Sequence, residues 1–159
     1  GREFYINVKG YTPYDADAFA RYLKRYDLEA GNKLHLFSSP GFARRWRELK
    51  KGLAVSTKAD ALDCVKGYLS LGWTGQVPDI CRTTGLGVPE NLSWLYWGWP
   101  NRLLQRAERH DVRVILVGSA EKHLTGIDRE EQLAIIPKYF DGWVMTNRVE
   151  VIGPVLKGK

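Results

Sequence analysis

Short apolar runs alternate along the chain with segments in which apolar residues recur every three or four positions. The runs predict six β-strands, at about 3–9, 33–37, 52–57, 92–97, 112–117 and 142–146. The periodic segments predict helices at about 14–30, 40–51, 58–71, 100–110, 128–136 and 149–156. Strands that alternate with helices at this spacing indicate a parallel sheet.

One segment, 72–91, breaks this alternation. It is rich in glycine and contains Pro78 and Pro89, so we predict a long irregular connection there. Long connections in compact domains often line a binding or catalytic site. By contrast, the continuous apolar run at 112–117 fits a strand that is buried on both faces.

Polar residues close the first and last predicted strands, at Lys9 and Asn147. In a parallel α/β barrel the residues at the carboxyl ends of the strands point into one site, so these two side chains are predicted to share a pocket. A closed barrel of this type has about eight strands, and the pattern gives six. We therefore predict a single α/β domain over residues 1–159, a parallel (β/α) barrel of TIM type that lacks its first two βα units. An open doubly wound sheet is the main alternative, although no glycine-rich phosphate fingerprint follows an early strand.

Charge and composition narrow the expected partners. The net charge of +6 and the pI near 9.4 favour anionic partners such as phosphodiesters or acidic membrane surfaces. A nucleic-acid partner is not expected, because no recognised binding motif is present. The chain has no apolar run long enough to span a bilayer. Cys64 and Cys81 lack zinc-ligand spacing, which leaves open one disulfide or two buried thiols.

Several motifs resemble the glycerophosphodiester phosphodiesterases and the related sphingomyelinase D-type phospholipases. YINVKG resembles the acid-x-Lys pattern on the third barrel strand of that family, and KLHLFSSP resembles its fourth strand. WGWPNRLLQRAERHDVRV and VRVILVGSAEK resemble the segments that enter and form the seventh strand. FDGWVMTNR resembles the terminal DG-apolar-apolar-T-D/N signature, with Asn147 in the form closer to the sphingomyelinase D branch. The resemblance covers the third to the eighth strand of the family barrel.

The resemblance implies hydrolysis or transesterification of a lipid or lipid-headgroup phosphodiester, with Mg²⁺ or Ca²⁺ holding the phosphate. It implies that Lys9 and Asn147 act as catalytic residues, with Lys9 on the phosphate and Asn147 orienting the substrate or a catalytic group. It implies substrate contacts for Ser38, Trp97 and Trp99. Asn7 takes the metal-proximal position.

The chain departs from the family pattern at two places. The catalytic histidines of the family lie on the first-strand loop and shortly after it, and His35, His110 and His123 lie in no such setting. Asn7 stands where the family pattern has a metal-binding carboxylate, and an amide oxygen brings no charge to a cation. We therefore expect this chain alone to be inactive, with the histidines supplied from outside it. A second chain that completes the barrel is the expected source, and Gly1 in place of Met indicates a fragment or a processed chain.

The alternative function is a non-catalytic barrel relic that binds anionic headgroups or a protein partner. The basic segment 44–51 would supply the anion-binding face in that case, although a solvated helix face has the same composition. Each site residue also has a structural alternative: Lys9 as a solvated loop lysine, Asn7 as a hydrogen-bonding residue, and Asn147 as a helix N-cap. The sequence does not indicate a cellular compartment.

Overall fold

The computed structural model describes residues 3–28, 33–49, 53–121 and 125–157. The chain divides into two compact units, Gly1–Asp63 and Cys64–Lys159, and each contains a three-stranded parallel sheet. Compact units of this kind can belong to one domain, so the single-domain assignment stays a prediction.

The first unit is built from two complete βα repeats and a third strand. Its elements are β1 (Glu3–Asn7), α1 (Pro13–Arg25), β2 (Lys33–Phe37), α2 (Pro40–Leu49) and β3 (Ala54–Ser56). The strand order is β1-β2-β3 and all pairs are parallel. The register aligns Asn7 with Phe37 and Phe37 with Ser56. Helix α3 (Lys58–Leu71) starts in this unit and continues into the second.

Two helices of this unit begin with the same N-terminal capping motif. At α1 the Thr12 side chain accepts a hydrogen bond from the Asp15 backbone, and the Asp15 carboxylate accepts one from the Thr12 backbone at 2.8 Å. At α3 Thr57 and Asp60 make the same reciprocal pair. A Thr-x-x-Asp pattern satisfies two backbone donors that a helix leaves unpaired at its start. These helix starts are therefore fixed by residues three positions apart.

The core of the first unit lies on one face of its sheet. Alternation along β1, β2 and β3 directs Ile6, Leu34, Leu36 and Val55 toward α1 and α2. Phe42 and Trp46 of α2 are fully buried there, with their rings stacked at 5.7 Å. The opposite sheet face carries Tyr5, Asn7, His35, Phe37 and Ser56, so aliphatic positions on the core face alternate with aromatic and polar positions on the other face.

The second unit contains the remaining strands and shorter helices. After α3 come a 3₁₀ turn (Gly72–Thr74), α4 (Ile80–Thr84), β4 (Leu86–Pro89), a 3₁₀ helix (Glu90–Leu95), α5 (Asn101–Arg109), β5 (Val114–Val117), a 3₁₀ helix (Glu130–Ile135), β6 (Trp143–Val144) and α6 (Val149–Lys157). The strand order is β4-β5-β6, again parallel.

Strand β5 is the centre of the second core. Its four residues, Val114–Val117, are all buried, as the continuous apolar run predicted. Fully buried Leu86, Leu103, Ile127 and Ile152 pack around it. A disulfide joins Cys64 of α3 to Cys81 of α4 within the same core, which decides between the two cysteine states that the sequence left open.

The predicted TIM-type barrel is wrong. In the part of the chain that the structure describes, the six strands pair into two separate three-stranded sheets, so they form no closed barrel. Each sheet is held by hydrogen bonds among its own three consecutive strands. The βα alternation predicts parallel pairing correctly, but the number of strands in a sheet depends on pairings that no local pattern encodes.

The predicted fourth strand at 92–97 is also wrong. Most of that run forms a 3₁₀ helix, and the strand lies earlier, at Leu86–Pro89, inside the predicted irregular connection. Gly85, with φ +70°, turns the chain from α4 into this strand. Leu86 and Val88 are fully buried, whereas Trp94 is exposed, so burial in the core selects the less aromatic segment as the strand. The predicted helix at 128–136 is likewise a 3₁₀ helix, Glu130–Ile135.

Candidate functional site

The carboxyl end of β1 carries the two candidates of the first unit, Asn7 and Lys9. Both side chains are exposed. Lys9 makes no ion pair or hydrogen bond with any residue in the described ranges. An ammonium group that is free of protein partners is available to an external anion.

Ser38 holds the loop that carries Lys9. Its buried hydroxyl lies 2.9 Å from the Val8 carbonyl oxygen and 3.1 Å from that of Gly10, and it donates to them from the end of β2. The two carbonyls flank Lys9, so this contact fixes the backbone on both sides of the lysine. The structure therefore gives Ser38 a positioning role, and its contact with substrate stays a prediction.

Tyr5 and Ser56 lie on the sheet face that also carries Asn7. The Tyr5 hydroxyl is 3.3 Å from Ser56 Oγ, and the Ser56 hydroxyl also lies 3.3 Å from the Leu36 carbonyl oxygen. Burial raises the pKa of Tyr5, which the hydrogen bond with Ser56 only partly offsets. The phenol consequently stays protonated at neutral pH and offers hydrogen bonding rather than charge.

Asn147 follows β6 in the second unit and binds Asp128. The Asn147 side-chain amide donates to one Asp128 carboxylate oxygen at 3.0 Å, and its backbone N–H donates to the other at 2.7 Å. The Thr146 hydroxyl donates to the same carboxylate at 3.0 Å. Gly126 permits this close approach, because a Cβ there would stand 2.7 Å from Asp128 Oδ1.

Asp128 was not among the residues predicted for the site. Burial raises the pKa of its carboxyl, but the hydrogen bonds from Asn147 and Thr146, together with the Arg148 charge, outweigh burial and hold that pKa below its ordinary value. The start of α6 uses a different oxygen: the Arg148 N–H donates to the Thr146 hydroxyl at 2.9 Å. Asn147 therefore anchors the loop to Asp128, and Thr146 supplies the oxygen at the helix start.

The carboxyl ends of β4 and β5 add two further polar groups to the edge that carries Asn147. Glu90 follows β4 and its carboxylate accepts a hydrogen bond from Gln132 at 3.4 Å. Ser119 follows β5, and its buried hydroxyl has no hydrogen-bond partner among the described residues. Parallel strands bring their carboxyl ends to one edge of a sheet, which is why residues so far apart in sequence lie on one side of the second unit.

Trp97 and Trp99 lie in the turn between the 3₁₀ helix and α5. The Trp97 indole N–H donates to the Leu69 carbonyl oxygen at 2.8 Å, and about half of the Trp97 side chain is exposed. Trp99 is partly buried and packs against the core. Packing thus accounts for Trp99, whereas Trp97 keeps an exposed surface. Substrate contacts of both residues stay predictions.

The predicted site residues are divided between the two units. Asn7, Lys9 and Ser38 lie in the first unit, and Asn147, Trp97 and Trp99 lie in the second. The pocket predicted for Lys9 with Asn147 depended on a single barrel. Because the structure contradicts that barrel, the shared pocket stays a prediction that the barrel geometry no longer supports.

The donor set near Asn7 does not fit a divalent cation. In the described ranges, no three side chains of His, Cys, Asp or Glu lie together as metal ligands would. The Asp15 carboxylate, whose Cβ lies close to Gly10, already accepts hydrogen bonds from the backbone of Tyr11 and Thr12. No step of the chemistry is assigned to Mg²⁺ or Ca²⁺ for this reason.

The histidines do not supply an acid–base pair within either unit as far as the structure describes them. His35 lies inside β2, and His110 lies at the C-terminal end of α5. His123 falls outside the described residues. Proton transfer to a leaving oxygen therefore has no histidine pair in the described parts of this chain.

Two of the three described arginines in the predicted basic face at 44–51 are paired with acidic side chains. Arg45 forms ion pairs with Asp17 at 2.9 Å and with Glu48 at 3.0 Å, and Arg47 pairs with Asp60 at 3.4 Å. Lys50 and Lys51 lie outside the described residues. Arg44 is the one arginine of α2 for which the described residues provide no acidic partner.

A cavity of about 460 Å³ lies at the amino end of β5, lined by residues that include Leu104, Val112 and Tyr139. None of the predicted site residues lines it. It sits at the opposite strand ends from Asn147, so it is not the predicted substrate pocket.

Comparison with protein-family models, with curated proteins and with solved structures found no match. The resemblance to the phosphodiesterases therefore stays a prediction that rests on the motifs. None of the helices that the structure describes has the length and apolar character needed to span a membrane.

Proposed function

We propose that the protein acts on phosphoric diesters of lipids or lipid headgroups, and that this chain supplies the cation that holds the phosphate. Lys9 carries the proposal. It is an exposed lysine at the carboxyl end of a parallel strand, and it has no partner among the described residues. This is the edge of a parallel sheet at which ligands bind.

The backbone around Lys9 is held in place before any anion binds, and this supports the assignment. Ser38 ties the backbone on both sides of Lys9, so less conformational entropy is lost when an anion binds. A lysine ammonium acts as a point charge on phosphate oxygens, and the exposed Asn7 amide nearby can donate to a second oxygen. Together these groups bind a phosphodiester but do not cleave it.

Cleavage needs a nucleophile and a proton donor for the leaving oxygen. The described surroundings of Lys9 contain neither a histidine pair nor a free carboxylate. The proposal therefore assigns the catalytic histidines to a partner outside this chain.

The binding step is tested with a soluble phosphodiester, glycerophosphocholine, titrated by NMR or calorimetry. We expect Lys9→Ala to weaken binding about tenfold, the loss typical of one charge-assisted hydrogen bond. Lys24→Ala is the matched control, because Lys24 is an exposed lysine of the same unit, on α1. Equal affinities of the Lys9→Ala variant and the unmodified protein would overturn the proposal.

The hydrolytic step is tested on the protein as purified with any bound partner, using glycerophosphodiesters, lysophospholipids and sphingomyelin with Mg²⁺ or Ca²⁺. Turnover of one class identifies the substrate. No turnover of any would refute the enzymatic part of the proposal.

The second candidate function is headgroup binding without hydrolysis. Two observations favour it: Asn7 replaces the carboxylate of the family pattern, and the described residues offer no metal-ligand cluster. Lys9-dependent binding with no turnover in the presence of every co-purifying chain would select this candidate. Charge reversal at Arg44 tests whether the basic face of α2 contributes.

A further inference from the structure

Large apolar side chains stand exposed on two turns of the second unit. They are Leu71, Trp73, Trp94 and Trp97, exposed by 45, 66, 75 and 48 %. We call this set the tryptophan patch. Its members come from the end of α3, the 3₁₀ turn that follows it, and the segment before α5. Burying so much apolar surface would be favourable if a partner covered it.

The two turns that carry the patch are fastened to each other. The Trp97 carbonyl accepts hydrogen bonds from the Tyr68 hydroxyl at 2.7 Å and from Arg106 at 3.3 Å. The same Arg106 guanidinium donates to the Gly72 carbonyl at 2.6 Å. Gly72 allows the turns to approach closely, since a Cβ there would stand 3.1 Å from the Trp97 ring. The turn that carries Leu71 and Trp73 and the segment that carries Trp97 are therefore held together, and Trp94 lies three residues before Trp97 on that segment.

Exposed cations lie in the segments that carry the patch, and the acidic residues Asp63, Glu90 and Glu108 flank those segments. Segments 64–76 and 91–107, which supply all its members, contain Lys66, Arg102 and Arg106 and no aspartate or glutamate. Arg102 is exposed, and its Cβ lies close to Gly98, the residue after Trp97. A surface that combines indole rings with Lys66 and Arg102, for which the described residues provide no acidic partner, complements a partner that is both apolar and anionic.

We propose that the tryptophan patch docks on an anionic lipid bilayer. Indole side chains favour the membrane–water interface, where the ring reaches apolar chains and the N–H meets headgroups, and basic side chains are attracted to acidic lipids. Docking of this kind needs no groove, and the cavity of this unit lies elsewhere, at the amino end of β5. This inference rests on the proposed function, because docking on a bilayer would bring the protein to a lipid substrate.

The test is co-sedimentation with vesicles of phosphatidylcholine alone and of phosphatidylcholine with phosphatidylserine. We expect the protein to bind the anionic vesicles, and Trp73→Ser with Trp94→Ser to reduce that binding about tenfold or more, since two buried indoles are lost. Neither side chain makes a hydrogen bond within the described residues, so the fold should persist. Tyr11→Ser with Tyr14→Ser is the matched control, because both tyrosines are exposed in the first unit.

A second measurement does not depend on the tryptophan variants. Lys66→Glu with Arg102→Glu should abolish the preference for anionic over neutral vesicles while the tryptophans remain. Lipids brominated on the acyl chain should quench tryptophan fluorescence of the unmodified protein on anionic vesicles.

Three results would overturn the inference: no binding to anionic vesicles, equal binding by the tryptophan variant, or self-association that this variant abolishes. The last result would assign the patch to a contact between copies of the chain. Failure here is separable from failure of the proposed function, because glycerophosphocholine binding through Lys9 is measured without any bilayer.

Discussion

Asp128 shows how a single side chain organises a loop of the second unit. Its carboxylate accepts three hydrogen bonds, from the Asn147 amide, the Asn147 backbone and the Thr146 hydroxyl. These donors stabilise the charged form, so the pKa of Asp128 is lowered in the folded protein despite partial burial. The stability of this unit should depend on that charge.

We expect Asp128→Ala to lower the free energy of unfolding of the second unit by about 1–2 kcal/mol. Because the pKa is lower in the folded than in the unfolded state, the contribution is complete above the unfolded pKa and is lost as pH falls through the folded pKa. Urea denaturation of the protein and of Asp128→Asn across this acid range tests the sign. Asp141→Asn, at an exposed aspartate, is the control. A pH dependence unchanged by Asp128→Asn would contradict the assignment.

Trp46 presents the opposite case, a fully buried side chain with an unpaired polar atom. Its ring packs on Phe42 and Phe19, but its indole nitrogen has no hydrogen-bond partner among the described residues. Trp46→Ala should destabilise the first unit by about 3–5 kcal/mol through cavity formation. Trp46→Phe should cost less than about 2 kcal/mol, because removal of the unpaired N–H offsets lost packing. Chemical denaturation measures the free energy of unfolding of both variants. Similar losses of stability would show that removing the unpaired N–H brings no gain.

At the scale of elements, the N-terminal cap of α1 can be tested by itself. Thr12→Ala removes the side-chain acceptor for the Asp15 N–H and should lower the stability of the first unit by about 1 kcal/mol. Thr12→Ser keeps that acceptor and is the control. The expected readout is a lower denaturation midpoint for the alanine variant alone, with the slope of the transition unchanged. Equal midpoints would mean that tertiary packing, rather than the cap, fixes the start of α1.

The Cys64–Cys81 disulfide ties α3 to α4 across 17 residues. Closing a loop of that length restricts the unfolded chain and should contribute ~3 kcal/mol to the stability of the second unit. Cys64→Ala with Cys81→Ala, compared with the oxidised and the reduced protein, measures this contribution by denaturation. A reduced protein as stable as the oxidised form would show that packing of the sulfur atoms, rather than the cross-link, matters.

At the scale of the whole molecule, the proposed hydrolysis requires groups that the described parts of this chain lack. We expect native mass spectrometry of the protein purified from its source to detect a second polypeptide that carries a histidine pair. A lone chain or a simple homo-oligomer would instead favour headgroup binding without hydrolysis. The sheet ends add a physical reason for association, since unpaired strand edges bind other chains.

The amino-acid sequence by itself determined the elements whose signals are local. The strands at Lys33–Phe37 and Val114–Val117 follow from apolar runs, and α3 follows from its apolar periodicity. The position of Lys9 at the end of a strand is local in the same sense. Such features are predictable because the interacting residues lie within a few positions of each other.

Only the tertiary structure decided the pairings between distant residues. The apolar runs at 86–89 and 92–97 could each form a strand. The first one does so, because it pairs with β5 and buries Leu86 and Val88. The same is true of the pairing of six strands into two sheets, of the Asp128–Asn147 contact and of the hydrogen bonds from Ser38 to the Lys9 loop. Each of these contacts joins residues that are 19 or more positions apart in sequence. Their stability depends on closing long loops and on burial in a shared core, and neither term is visible in a local window of sequence.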